Sequence, residues 1–354
     1  MKILKKILNY KKKHQKYYEK DISEYERTPE NKKPVLFVRN LTKKYFGRKM
    51  PAINNISFNV YPGQFHAFIG ANGAGKTTTI KAIIGAYSKW SGTILINGVK
   101  NNKEIAKKMI GYIPENARFP ENFSALKYLE WTVTLSGISM REAKKIAEEK
   151  LKELKMWNLR KKSPNGFSSG QKKKILLAQA LIHNPDIIIM DEPVANLDPK
   201  ARSDFFNLLV ELAKKGKAIL ISSHVLAELD LYFDSATILD GGKIIFSGSS
   251  EKLFEIFSKN RYLCEVDNEK KFISIIKKTK IKFIKKNNQN CNEYILTIPN
   301  KGDVLKLQKS LTTNKITINN FSKIQPSLEE IYDKLVIKGS VDTMKHETKK
   351  IHHV

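Results

Sequence analysis

"FHAFIGANGAGKTTTIKAII", residues 65–84, passes from an apolar run through a glycine-rich turn into a helix-forming stretch. The apolar run does not alternate strictly with polar residues, so it suits a strand covered on both faces. Gly70, Gly75, Lys76 and Thr77 stand in the G-x4-G-K-[ST] spacing of a loop whose backbone amides cradle phosphate. Gly73 and Gly75 let those amides turn inward with no Cβ in the way. A helix opening at Lys76 adds the positive end of its dipole. Lys76 is expected to reach the β- and γ-phosphates and Thr77 to bind Mg²⁺. Asn72, Ala74 and Thr78 complete the expected nucleotide contacts. Strand, loop and helix in this order imply an α/β fold.

Two further stretches belong beside it. "DIIIMDEP", residues 186–193, reads as a buried strand ending in Asp191 and Glu192, which sets two carboxylates at the carboxyl edge of a sheet, where ligands sit. Asp191 is expected to hold Mg²⁺ through water, and Glu192 to orient and deprotonate an attacking water. "AILISSHV", residues 218–225, brings Ser222, Ser223 and His224 to the same edge. His224 is placed to contact the γ-phosphate and to hold Glu192.

The rest of the chain bounds this reading. Its 354 residues, 41% hydrophobic, are enough for two or three domains. No run of 18 apolar residues occurs and the first residues carry no secretory pattern, so neither a membrane span nor export of the chain itself is expected. Cys264 and Cys291 lack metal-ligand spacing and fit packing roles in a reduced compartment. The formal charge of +29 is spread along the chain: +6 over 1–33, +14 over 34–250 and +9 over 251–354. Excess lysine everywhere is a compositional bias rather than a binding face, and nucleic acid is not expected as a partner.

Residues 1–33 read as a basic, mobile arm. Short β-rich runs alternate with helical patterns over 34–250, interrupted by a helical insertion at about 116–165. After residue 250 the runs "RYLCEVD", "IKFIKK", "EYILTI" and "KITINNF" suggest a small α+β domain over 251–338, closed by a helix capped through Ser327 and Glu330. Residues 339–354 read as a disordered tail.

In order and spacing, the phosphate loop, "GFSSGQKKK" (166–174), "DIIIMDEP", "ANLDP" (195–199) and "SSH" (222–224) resemble the motifs of ATP-binding cassette (ABC) transporter ATPases. The resemblance implies a phosphate-loop cassette with a helical subdomain. It also implies that Phe167, Ser168, Ser169, Gly170 and Gln171 form the signature turn, aimed at an ATP bound by a second cassette in a homo- or heterodimer. On the same ground Tyr45 would stack on adenine, Glu115 would approach Mg²⁺ and the attacking water, and Asn196, Leu197 and Asp198 would contact the partner cassette. Lys172, Lys173 and Lys174 are read as solvated charges on the signature helix. Two residues depart from the family pattern: Ser169 stands in place of Gly, and Glu115 in place of Gln.

The implied function is ATP hydrolysis powering transport through separate membrane permease subunits, with the chain peripheral on the cytoplasmic face of the membrane. "QPSLEEIYDKL" (325–335) resembles the accessory domain of exporter-type ATPases and points to export. A soluble relative acting on ribosomes or DNA is the alternative.

Overall fold

A computed structural model of the protein describes Tyr25 and residues 33–227, 229–257, 260–279, 281–286, 292–298 and 300–336. The expected tail and Cys291 lie outside the described residues, as does most of the N-terminal arm. The chain divides into two compact units: one runs to Ser249 and includes Leu335, and the other is Ser250–Lys334.

The first unit contains two sheets. An antiparallel sheet joins β1 (Leu36–Lys43), β2 (Ile53–Val60), β4 (Ser91–Ile96) and β5 (Val99–Lys100) in the order β2-β1-β4-β5. The second comprises β3 (Phe65–Ile69), β6 (Ile110–Ile113), β7 (Ile187–Asp191), β8 (Ala218–Ser223), β9 (Ser235–Asp240) and β10 (Lys243–Ser249), in the order β10-β9-β3-β8-β7-β6. Here β9, β3, β8, β7 and β6 run parallel, and β10 returns antiparallel to β9. Every residue of β3, β7 and β8 is buried, which is why these strands read as continuous apolar runs. Gly241 and Gly242 make the two-residue turn of the β9–β10 hairpin, both with positive φ.

Helices α1 (Lys76–Ile83), α2 (Glu104–Lys108), α3 (Ala125–Thr134), α4 (Met140–Glu153), α5 (Ser169–Leu181) and α6 (Pro199–Lys214) complete this unit. The helical insertion is built from α3 and α4, which start at Ser124 and Ser139, each accepting a hydrogen bond from a backbone amide of the first turn. Along α4, Ala143, Ala147 and Leu151 recur every fourth residue and are buried, while its lysines and glutamates cover the other faces.

At Tyr25 the expected mobile arm is anchored: its ring is buried edge-on against Phe37, with centroids 5.5 Å apart. Gly98 makes room for it, since a Cβ there would lie 2.8 Å from the ring.

A polar cluster is buried around His66 in the first unit. His66 on β3 is buried, its two ring nitrogens hydrogen-bonded to the hydroxyls of Ser235 (2.8 Å) and Thr237 (2.9 Å). Burial pushes its pKa down to about 3.

The second unit begins with α7 (Ser250–Phe257) and continues β11 (Arg261–Val266), α8 (Glu269–Ile276), β12 (Lys282–Lys285), β13 (Glu293–Thr297), α9 (Lys301–Thr313) and β14 (Ile318–Lys323). All pairings are antiparallel and the sheet order is β12-β13-β11-β14, the split βαβ arrangement. No sequence expectation covered α8, whose β-branched Ile273, Ile275 and Ile276 favour a strand reading; Asn268 caps it and tertiary packing of Phe272 and Ile276 holds it. Cys264 packs in this unit's core, and burial raises its thiol pKa to about 12. The expected capping box at the last helix is only half formed. Ser327 accepts from the Glu330 amide at 3.2 Å, but the Glu330 carboxylate turns to Arg261 at 3.1 Å. An available guanidinium outcompetes a neutral amide for that carboxylate.

Candidate active site

The phosphate loop hangs between the carboxyl end of β3 and the first turn of α1. Gly75, at the N-cap of α1, has φ 108°, a conformation that costs a residue with a Cβ. Space forbids a Cβ there as well, since it would lie 2.6 Å from Ile53 Cγ2 and 2.9 Å from the Ala52 carbonyl. Gly73 also has positive φ, but an added Cβ would meet nothing within 4 Å, so its backbone faces open space. The Gly242 amide donates to the Ala74 carbonyl at 3.2 Å, so the β9–β10 hairpin walls the loop on one side. Sequence reading missed this support; the Gly-Gly pair between two apolar runs was the available signal.

Lys76 is buried with its ammonium fully engaged. It donates to the carbonyls of Gly70 (2.7 Å) and Ala71 (3.3 Å) and lies 3.2 Å from Glu192 Oε1. Glu192 Oε2 in turn lies 2.8 Å from His224 Nδ1. Glu192 Oε1 is itself buried, and among the described residues it has the Lys76 charge facing it but no partner in hydrogen-bond geometry.

The backbone places Glu192 unusually. Its φ is 46°, rare for a residue with a side chain, and Pro193 follows. Ser222, at the end of β8, holds this conformation: its hydroxyl accepts from the Glu192 amide at 2.9 Å and donates to Asp191 Oδ1 at 2.8 Å. One serine therefore joins the Asp191 carboxylate to the Glu192 backbone. The structure thus brings Lys76, Asp191, Glu192 and His224 together at one sheet edge, with Ser222 linking Asp191 to Glu192. Nothing in the local sequence marked Ser222 out beyond its place at the end of an apolar strand.

On the other side of the phosphate loop, Tyr45 is tethered rather than free. Its hydroxyl lies 3.2 Å from Thr78 Oγ1 and 2.9 Å from the Tyr87 hydroxyl, and the two tyrosine rings meet edge-on. Tyr45 also lines a cavity of about 560 Å³ with Arg48, Met50, Ala52, Gly73 and Gly241. The cavity adjoins the phosphate loop through Gly73 and presents an aromatic ring at its wall.

Glu115 follows β6 with an exposed side chain, and its backbone carbonyl accepts from Lys173 Nζ at 2.8 Å. This corrects the reading of Lys172–Lys174 as solvated charges: Lys173 is only 8% exposed and also reaches the Pro114 carbonyl at 3.4 Å. Burial pushes its pKa down, while the carboxylates of Glu115 and Asp191 pull it back up. Tyr112, on β6, feels the same carboxylates after burial, and its pKa is pushed up to about 12.

The serine turn is self-contained. Ser168 caps α5: its hydroxyl accepts from the Gln171 amide (3.3 Å), and its own amide donates to Gln171 Oε1 (3.1 Å). Phe167 and Gly170 are buried beneath the turn, and a Cβ on Gly170 would come within 3.0 Å of Ala201 Cβ. Ser168 and Ser169 are exposed above them. In the neighbouring loop Asn196 is exposed with φ 65°, Leu197 is buried, and Asp198 caps α6 through the Ala201 amide at 2.9 Å.

The chemistry of the donors fits a hard divalent cation. Asp191 is 2% exposed and offers carboxylate oxygen, and Thr77 offers hydroxyl oxygen at the start of α1. Among the described residues no three His, Cys, Asp or Glu converge into an all-protein cage. The set therefore suits an ion such as Mg²⁺, which keeps waters and takes phosphate oxygens.

Residues 53–195 match the sequence profile of the ABC transporter family. Over 222 residues the chain is 45% identical to an ABC transporter ATP-binding protein of Mycoplasma pneumoniae, covering 62% of this chain and 68% of that one. It is 31% identical over 309 residues to the ABC transporter ATP-binding protein YxlF of Bacillus subtilis, covering 85% and 99%. The solved structure of CbiO1 from Clostridium perfringens, described as part of the transporter complex CbiONQ, matches with TM-score 0.56 and 28% identity over 63% of this chain and 91% of that one.

Proposed function

Because the chain belongs to the ABC transporter ATP-binding proteins, a family of cassettes that bind and hydrolyse ATP, we propose that it powers export through membrane-spanning subunits carried on separate chains. The observation that carries the catalytic part is the placement of Glu192 between Lys76 and His224 at the end of β7.

On this reading the amides of 70–76 and Lys76 bind the β- and γ-phosphates of ATP, with Asn72 and Thr78 beside them. Lys76, now shared between backbone carbonyls and Glu192, exchanges those partners for phosphate oxygens. Thr77 and Asp191 would hold Mg²⁺, with Glu115 as a further candidate beside it, and the ion would neutralise phosphate charge. Glu192, released from Lys76, accepts the proton of a water whose oxygen attacks the γ-phosphorus as the bond to the β-phosphate oxygen breaks. His224 keeps Glu192 aimed at that water. Tyr45 offers its ring face to adenine.

The serine turn completes the site of a second cassette. Exposed small residues at a helix N-terminus suit an anion, and Ser168 in one chain then faces the γ-phosphate held by the other, beside Asn196 and Asp198. ATP binds the closed pair better than the open one, and that difference performs work on the membrane subunits.

Among the described residues no helix is long and apolar enough to cross a membrane, which supports transmembrane subunits on other chains and a peripheral place on the cytoplasmic face. The likeness of 325–335 to exporter accessory domains supports export and a domain boundary near Ser249. The deciding experiment purifies the tagged chain from solubilised membranes. Association with an integral membrane protein that raises its ATPase rate is expected; association with ribosomes or DNA instead would overturn the transport reading.

A further inference from the structure

Lys173 is the one signature-helix lysine among 172–174 that is buried, and three effects oppose its charge there. Burial penalises an ammonium, the first turns of a helix carry positive dipole charge, and Lys172 and Lys174 flank it with like charges. No acidic residue stands in the first turn of α5 to offset them. What fixes Lys173 is its pair of backbone acceptors, Pro114 (3.4 Å) and Glu115 (2.8 Å), with the Glu115 and Asp191 carboxylates close enough to act on it. It lies little more than one turn beyond Ser168, whose capping box with Gln171 starts the same helix.

We propose that Lys173 is a positioning residue that clamps the backbone of the Glu115 loop to the signature helix, so that Glu115 and the serine turn shift together rather than independently when ATP binds. The clamp grips main-chain oxygens, so it sets where residue 115 stands, whatever the side chain at 115 does. A movement imposed on the serine turn by a partner cassette is thereby transmitted to the group expected beside Mg²⁺. This assignment rests on the ATPase reading above, and its test separates the two.

The test compares the full chain with Lys173→Met, which keeps the length of the side chain but removes charge and donors, and with Lys173→Arg. A lost charged hydrogen bond of this kind is expected to quicken amide hydrogen exchange across 115–118 by about tenfold, while the core of α5 (176–181) exchanges as before. The Mg²⁺ concentration for half-maximal ATPase is expected to rise by about tenfold, the range seen when groups supporting metal ligands are removed. Arginine should recover most of both losses. Unchanged exchange across 115–118 overturns the clamp, and so does exchange that quickens equally along α5, because that is simple helix destabilisation. An unmutated chain that hydrolyses no ATP refutes the ATPase reading and leaves the exchange result to judge Lys173.

Discussion

The two parts of this cassette proposed to face phosphate are built in opposite ways. At the edge formed by β3, β7 and β8, Lys76, Asp191 and Glu192 are buried and held by their neighbours: Lys76 by the Gly70 carbonyl and Glu192, Glu192 by the exposed His224, and the Asp191 carboxylate and the Glu192 amide by Ser222. At the serine turn Ser168 and Gln171 satisfy each other and leave their outer surface bare. Buried, mutually dependent groups suit chemistry, where geometry must be held without water. A turn that needs nothing else from its own chain suits recognition of a phosphate arriving from outside.

The largest expected effect breaks the buried side. Glu192→Gln should lower ATP turnover by roughly 10²–10⁴-fold, the usual contribution of a general base, while binding persists. Single-turnover hydrolysis and light scattering check it, with a closed dimer accumulating in ATP; normal turnover removes Glu192 from that role. Next comes the exposed side. Ser168→Arg should cost about 10²-fold in turnover, comparable to losing a transition-state donor, with single-chain ATP binding intact. Mixing it with inactive Lys76→Ala chains should restore activity, since each mixed pair then contains one whole site. If the mixture stays inactive, the two-chain site is wrong.

Smaller is the loss at the linking serine. Ser222→Ala leaves the Glu192 amide and one Asp191 oxygen without their shared partner. It should cost about 1–3 kcal/mol in urea-unfolding stability and lower turnover by about tenfold. Wild-type values for both would mean that Ser222 links nothing. The mildest effect lies at the other end of β3. His66 has a folded pKa near 3, below its unfolded value of about 6.5. The unfolded chain therefore takes up a proton that the folded chain refuses. Stability is full above pH 6.5 and declines as pH falls toward 3, by at most about 1.4 kcal/mol per pH unit. Urea midpoints at pH 7 and pH 5 should show this decline in the native chain and a shallower one in His66→Gln; equal slopes would acquit His66.

Much of the site was legible because its parts follow local rules. Gly70–Thr78 declares itself by spacing, and Asp191 and His224 by their place at the ends of apolar runs, because burial on both faces keeps β7 and β8 apolar until they reach the edge. What stayed hidden acts across distance. Ser222 looks like any serine until β7 and β8 lie side by side with Asp191 opposite Ser222 in the ladder. Lys173 looks like its neighbours until α5 packs beside the end of β6. In the second unit, α8 was hidden by residues whose intrinsic preference is for strands.

The sequence by itself determined the fold class, the phosphate loop and the order of motifs, because periodicity, glycine placement and residue chemistry act over a few residues. Only the tertiary structure decided which groups are bound: that Lys76 faces Glu192, that one serine joins the Asp191 carboxylate to the Glu192 amide, and that Lys173 alone among three lysines is buried. Those outcomes depend on which groups share a low-dielectric space, and no local stretch of chain specifies its neighbours there.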